Sequence, residues 1–315
     1  MASSSTKPAS LVGIYFRGAL GFLTKKRSLG PEVTHLTLPE ETLDLTINQK
    51  HVLDFIRVVD NSSNKESMKT SDVDAIPITY LQCLLNGMPM NLMTHKHFPL
   101  NIVGSVHESI AIDSLRPVVP DEKLSARCHM VPDIGRSNKD DWLFTVVTDV
   151  TNHSDRDDKI MSISNQYRVL NPQRHKVKID PSEVPVTPNY FEDSNWELIN
   201  SWNFPDNTGR RYAALNGDVN PIHMHPIAGI VFGYKSCIAH GMYSVCALLQ
   251  EPPFAEKSVA GRCTVTAHFI RPLLLPVEEV LSFQNKETDE YVIGTKNGDD
   301  ELKETIKGSI SFLMH

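Results

Sequence analysis

The chain has 315 residues, 40% of them hydrophobic and 22% charged, and carries a net charge of −7. That balance describes an ordinary globular protein with material for about two domains. It argues against a nucleic-acid binder, which presents a basic face. No apolar run approaches the roughly 18–20 residues that a membrane-spanning helix needs.

Residues 11–23 are apolar apart from Arg17, a basic run of Lys25, Lys26 and Arg27 follows, and the first acidic residue is Glu32. This pattern fits a packing segment, an organellar transit peptide or a short interfacial helix. The five cysteines (Cys83, Cys128, Cys237, Cys246 and Cys263) form an odd set without a C-x-x-C pair, which suits a reducing compartment. The expected location is therefore cytoplasmic or organellar, with mitochondrial targeting open, and not secreted.

Residues 42–47 alternate as a strand, and 51–59 carry Val52, Phe55, Ile56 and Val59 at helical spacing. Residues 76–93 are almost continuously apolar and predict one long buried helix, interrupted by Pro89. Strands are expected at 105–115, 123–130, 142–151 and 160–170, where β-branched and aromatic residues lie between turn residues. A polar stretch with Pro172, Pro181, Pro185 and Pro188 then reads as a linker.

Past the linker the order repeats. A strand is expected at 196–204, a short helix at 210–215, a loop, a buried helix at 240–250, and strands at 263–270, 279–284, 291–295 and 301–313. Leu115-Arg116-Pro117 recurs as Ile270-Arg271-Pro272, an offset of about 155 residues. Two copies of one strand–helix–four-strand unit make a duplicated α+β fold in which a sheet wraps a helix. The expected divisions are 1–39 (N-terminal segment), 40–170, 171–194 (linker) and 195–315.

The chemistry concentrates in the second copy. Asp218, Asn220 and His223 stand on a loop stiffened by Pro221, and His240-Gly241 opens the buried helix. The loop alone equally describes a turn with an Asx cap. His223, His225 and His240 could be read as metal ligands, but Pro221 restricts the loop and no further carboxylate or cysteine completes a convincing set. Arg116 and Arg271 recur in both copies and read first as structural, with a CoA phosphate contact open for Arg271.

The stretch Tyr212-Ala213-Ala214-Leu215-Asn216-Gly217-Asp218-Val219-Asn220-Pro221-Ile222-His223 resembles the signature of MaoC-like dehydratases and (R)-specific (type 2) enoyl-CoA hydratases. Ile238-Ala239-His240-Gly241-Met242 resembles their second motif. The stretch from Ile76 through His107 resembles the non-catalytic half of two-unit members. The resemblance implies a double hot-dog fold, an α+β architecture. It implies reversible hydration of trans-2-enoyl thioesters to (3R)-hydroxyacyl thioesters, with acyl-CoA or acyl-carrier protein as the substrate carrier.

It also implies that Asp218 and His223 hold the water, Asp218 as general base and His223 donating a proton to carbon. Asn220 would orient the loop or the water, and Gly241 would offer its backbone N–H to the thioester oxygen. No metal and no organic cofactor is expected. The partner expected is the thioester substrate and not nucleic acid; a homodimer is left open, since two units in one chain already form the pseudo-dimer. The N-terminal half, lacking the acid/base pair, would widen an acyl cavity; Met88, Met90 and Met93 fit an adaptable apolar wall there, and core packing explains them equally well. Two departures stand near the pair: Asn216, where Ser is commoner, and His225, where the family often has Asp. An acyl-CoA thioesterase on the same fold and a non-catalytic acyl-binding subunit are the competing readings.

Overall fold

Alternation along 42–47 and its successors produces one large antiparallel sheet. The structure, a computed structural model, describes residues 35–61, 76–100, 102, 105–137, 140–170, 188–259, 262–298 and 301–312. The N-terminal segment up to residue 34, with its targeting reading, and most of the expected linker lie outside the described residues.

The first half contributes β1 (Glu41–Thr46), α1 (Gln49–Val59), α2 (Ile78–Leu85), α3 (Gly87–Thr94), β2 (Val106–Ser114), β3 (Lys123–Met130), β4 (Gly135–Arg136), β5 (Trp142–Asn152) and β6 (Lys159–Val169). The second contributes β7 (Trp196–Phe204), α4 (Thr208–Asn216), α5 (Pro221–Met224), α6 (Pro226–Val231), α7 (Gly241–Leu248), α8 (Pro252–Val259), β8 (Cys263–Phe269), β9 (Val277–Asn285), β10 (Glu290–Asn297) and β11 (Glu301–Phe312).

The strand order is β1-β3-β5-β6-β2-β8-β11-β10-β9-β7, with β4 added beside β5. The two halves thus repeat one order in mirror fashion, β1-β3-β5-β6-β2 against β7-β9-β10-β11-β8. They join at the β2–β8 pair, where Ser109 faces His268 and Ser114 faces Cys263. β2 ends at Ser114 and β8 at Phe269, so the Arg-Pro repeat leaves equivalent strand ends on either side of this seam. β5 alternates strictly, sending Trp142, Phe144, Val146 and Val150 inward.

Helices cover the sheet's inner face. α1 is capped by the Asn48 side chain, which accepts from His51 N at 3.1 Å. It buries Val52, Phe55, Ile56 and Val59, as their spacing predicts. α7 is apolar on every side and is buried from Met242 through Leu248. α1 packs on α4 and α7, and α2 packs on α4. The helices of both halves therefore meet, and the main hydrophobic cluster runs from Leu38 to Ile310 without a divide between the copies.

Two expectations need correction. The long helix over 76–93 is two helices, broken at Asn86 and not at Pro89. Pro89 falls in the first turn of α3, where its missing N–H costs nothing. The segment after Asp218 is not a plain loop: Pro221 and Pro226 each start a short helix, as proline does at a first helical position. β4 and α8 have no counterpart in the sequence reading.

Candidate active site

Three nested turns place the acid. α4 ends on Gly217, whose φ of 72° lies in the left-handed region that a side chain disfavours. The buried Asn216 side chain accepts from Asp218 N at 2.8 Å, and Asp218 Oδ1 in turn accepts from Asn220 N at 3.1 Å. Asn220 then caps α5, its Oδ1 accepting from Ile222 N at 3.4 Å. Each Asx side chain sets the backbone two residues further on. The motif folds itself toward His223.

His223 is buried on α5, and its Nδ1 lies 2.8 Å from the Ile238 carbonyl. A carbonyl only accepts, so Nδ1 carries the proton and Nε2 is left to face Asp218. The second motif is zipped into place around this bond. Ile238 N donates to Ile222 O at 3.0 Å, and Ala239 N donates to Leu273 O at 2.8 Å. His240 and Gly241 follow directly.

Asp218 Oδ2 is 4.0 Å from His223 Nε2 and 3.6 Å from His240 Nε2. Four ångströms is too long for a direct hydrogen bond and suits one oxygen atom held by both groups. His240 Nε2 also sits 3.2 Å from the Asp218 backbone oxygen, to which it donates. Its ring stacks on His223 with centroids 3.7 Å apart. Burial above all, then the neighbouring His223, pulls the His240 pKa down to about 3. His240 is therefore neutral, and among the described residues its buried Nδ1 has no hydrogen-bond partner.

Asp218, His223 and His240 place ligand-type atoms within 4.8 Å of one another. A cation would need the lone pair of His240 Nε2, and that nitrogen is engaged as a donor to Asp218 O. The hydrogen-bond pattern suits proton transfer better than ligation.

Gly241 is the first residue of α7, and among the described residues its N–H has no acceptor. A first-turn N–H at a helix N-terminus is a ready donor to developing negative charge. A Cβ at this position would come within 2.4 Å of Phe269 Cδ1 and Cε1, so Gly241 lets the Phe269 ring lie on the start of α7.

The predicted residues Asp218, Asn220, His223 and Gly241 thus converge, with His240 between them. Two others stand aside. His225 is exposed and caps α6, its Nδ1 accepting from Ile227 N at 3.2 Å, so this departure does not touch the acid/base pair. Tyr212 is fully buried in the core. All five cysteines are buried and free, and burial pushes each thiol pKa up, the opposite of an activated nucleophile.

Sequence reasoning missed residues from the first half. His107 on β2 and Tyr167 on β6 both feel the Asp218 carboxylate, and burial lowers the His107 pKa to about 4. No pattern in the sequence marked them, since only strand pairing brings β2 and β6 toward the second half.

Residues 173–305 match the family described as MaoC like domain. The chain is 28% identical over 210 residues to 3-hydroxyacyl-thioester dehydratase X of Mycobacterium tuberculosis, covering 64% of this chain and 67% of that one. The crystal structure of that dehydratase superposes with a TM-score of 0.66 at 21% identity, over 87% of this chain and all 100% of the other. A MaoC-like dehydratase from Phytophthora capsici superposes with a TM-score of 0.65 at 16% identity, over 90% and 98% of the two chains. The protein has the hot-dog fold of the MaoC-like dehydratases, in the α+β class, and carries a MaoC-like dehydratase domain. It is a homologue of the mycobacterial 3-hydroxyacyl-thioester dehydratase.

Proposed function

We propose that the protein is a hydro-lyase that reversibly adds water to trans-2-enoyl thioesters, giving (3R)-hydroxyacyl thioesters, with CoA as the carrier. The observation that carries this reading is the 4.0 Å gap between Asp218 Oδ2 and His223 Nε2 beside the open N–H of Gly241. A water oxygen fits between acid and base, and a thioester oxygen fits the N–H. The homology to a thioester dehydratase supports the same chemistry.

In the hydration direction Asp218, as carboxylate, takes a proton from the water while its oxygen bonds to Cβ. His223, protonated on Nε2, gives that proton to Cα. The negative charge that builds on the thioester oxygen meets the Gly241 N–H and the dipole of α7 behind it. Afterwards the proton on Asp218 passes to His223 Nε2 and the pair is reset. His240 stays neutral and holds Asp218 from behind. Every proton is accounted for within the pair, so the reaction needs neither metal nor organic cofactor.

The test is a spectrophotometric assay on trans-2-enoyl-CoA substrates with chiral analysis of the product. Loss of enoyl absorbance with a (3R) product is expected. Asp218→Asn and His223→Gln should each lower the rate by about 100-fold or more, the scale of a general acid/base group. Release of free thiol without loss of the enoyl group would instead identify a thioesterase.

A further inference from the structure

The first half of the chain grips two elements of the site from one place, the C-terminal end of α1. Tyr243 lies two residues past Gly241, in the first turn of α7, and its hydroxyl donates to Asn61 Oδ1 at 2.9 Å. Asn61 follows the last residues of α1, and its Nδ2 donates to the Val59 carbonyl at 3.0 Å. A carbonyl only accepts, so this bond fixes which way the amide points and turns its oxygen to Tyr243. A second bond joins the same helix end to the other element. Arg211 Nη2, on α4, donates to the Arg57 carbonyl at 3.4 Å.

Tyr243 has little room to change partners. It is fully buried, and its ring meets Phe204 edge-on at 5.0 Å and Tyr212 of α4 edge-on at 5.7 Å. Tyr212 in turn meets the His240 ring edge-on at 5.3 Å. Ring packing sets how deep a side chain sits, whereas a hydrogen bond also sets a distance and a direction. The Gly241 N–H and the Asp218 carboxylate belong to different elements, α7 and the turn that leaves α4. The end of α1 is bonded to both of those helices.

We propose that Asn61 is a positioning residue for the reaction: through Tyr243 it holds the first turn of α7, and with it the Gly241 N–H, at its setting against Asp218. The proposal rests on the hydratase reading, and it gives the half without the acid/base pair a direct part in the chemistry. An oxyanion donor acts on charge that develops in the transition state. A misplacement of about 1 Å there can slow a reaction by about 100-fold. Loss of the Asn61–Tyr243 bond should therefore slow turnover and leave substrate binding alone.

The experiment measures kcat, KM and melting temperature on trans-2-enoyl-CoA for the full-length wild type, Tyr243→Phe, Asn61→Ala, the double variant and Asn61→Asp. Tyr243→Phe keeps the buried ring and removes only its hydroxyl, and Asn61→Asp keeps an acceptor for that hydroxyl. Tyr243→Phe and Asn61→Ala should each lower kcat about tenfold with KM within about twofold of wild type, the pattern of a contact that matters only in the transition state. The double variant should be no slower than the slower single one, because both changes remove the same bond. Asn61→Asp should recover most of kcat. Wild-type kcat in both single variants, whatever their melting temperatures, would overturn the proposal while leaving hydration standing. So would losses that multiply in the double variant, or an Asn61→Asp enzyme as slow as Asn61→Ala. Absence of turnover by the wild type would remove the hydratase reading itself, and the proposal with it.

Discussion

The imidazoles of His223 and His240 stack 3.7 Å apart at 27°, with one carboxylate, Asp218, beside both. Two imidazolium rings at that separation would repel. The burial of His240 decides which ring stays neutral, and it leaves His223 Nε2 as the atom that exchanges protons.

Acid should therefore destabilise the fold through its buried histidines. The unfolded chain protonates His240 near pH 6.5, whereas the folded chain does so only near about 3. Between those values the unfolded state binds the extra proton, so stability falls as pH falls, by up to about 1.4 kcal/mol per pH unit for one such group. His107, lowered to about 4, acts in the same sense over a slightly narrower window. Urea midpoints measured from neutral pH down to pH 5 should drop, and His240→Gln should flatten the curve. A variant with the wild-type slope would refute this account.

Gly241→Ala should impair the enzyme through a neighbour rather than through substrate. The new methyl would meet the Phe269 ring at 2.4 Å, and such overpacking costs about 1–3 kcal/mol. A melting curve should register the loss. Gly241→Ala combined with Phe269→Leu should recover part of the stability, because the obstructing ring is gone. Additive losses in the double variant would show that Phe269 is not the obstacle.

Asn216 should matter for geometry rather than for proton transfer. Its side chain accepts the Asp218 N–H at 2.8 Å in a buried setting. Asn216→Ala leaves that donor without its partner, at a cost of about 1 kcal/mol, and should lower kcat with little change in KM. Asn216→Ser retains a short acceptor and should recover most of the rate. Equal rates for the two variants would argue against a role for this bond.

The two repeated arginines should behave differently. Arg116 binds Glu122 at 2.6 Å and Asp158 at 2.8 Å, tying the end of β2 to two loops. Among the described residues the Arg271 side chain makes one bond, to the Glu304 carbonyl at 2.8 Å. Arg116→Ala should destabilise by about 1–3 kcal/mol, the range for charged hydrogen bonds, and leave KM unchanged. Arg271→Ala should affect stability less, as seen by denaturant unfolding of both variants side by side.

Local patterns were readable in the sequence wherever the physics was local. The stripe Val52, Phe55, Ile56 and Val59 folds as its spacing predicts, and every expected strand is present with ends shifted by a few residues. Asp218 and His223 were legible because only four residues separate them and the turns around them are built by the side chains of Asn216, Asp218 and Asn220. The break at Asn86 was not legible, because an apolar run carries no mark of where tertiary packing will bend it. His107 was missed for a stronger reason. It lies more than a hundred residues before Asp218, and only the pairing of β2 with β8 brings it near.

That seam has a consequence for how the molecule can change over evolutionary time. When two identical subunits assemble, every substitution appears twice and must suit both sides of the contact. Here the two sides are encoded separately, so Asp218 and His223 exist without counterparts while the opposite copy is free to specialise. An asymmetric boundary, with Phe269 from one copy and His107 from the other, can be refined one residue at a time here, which a pair of identical subunits does not allow.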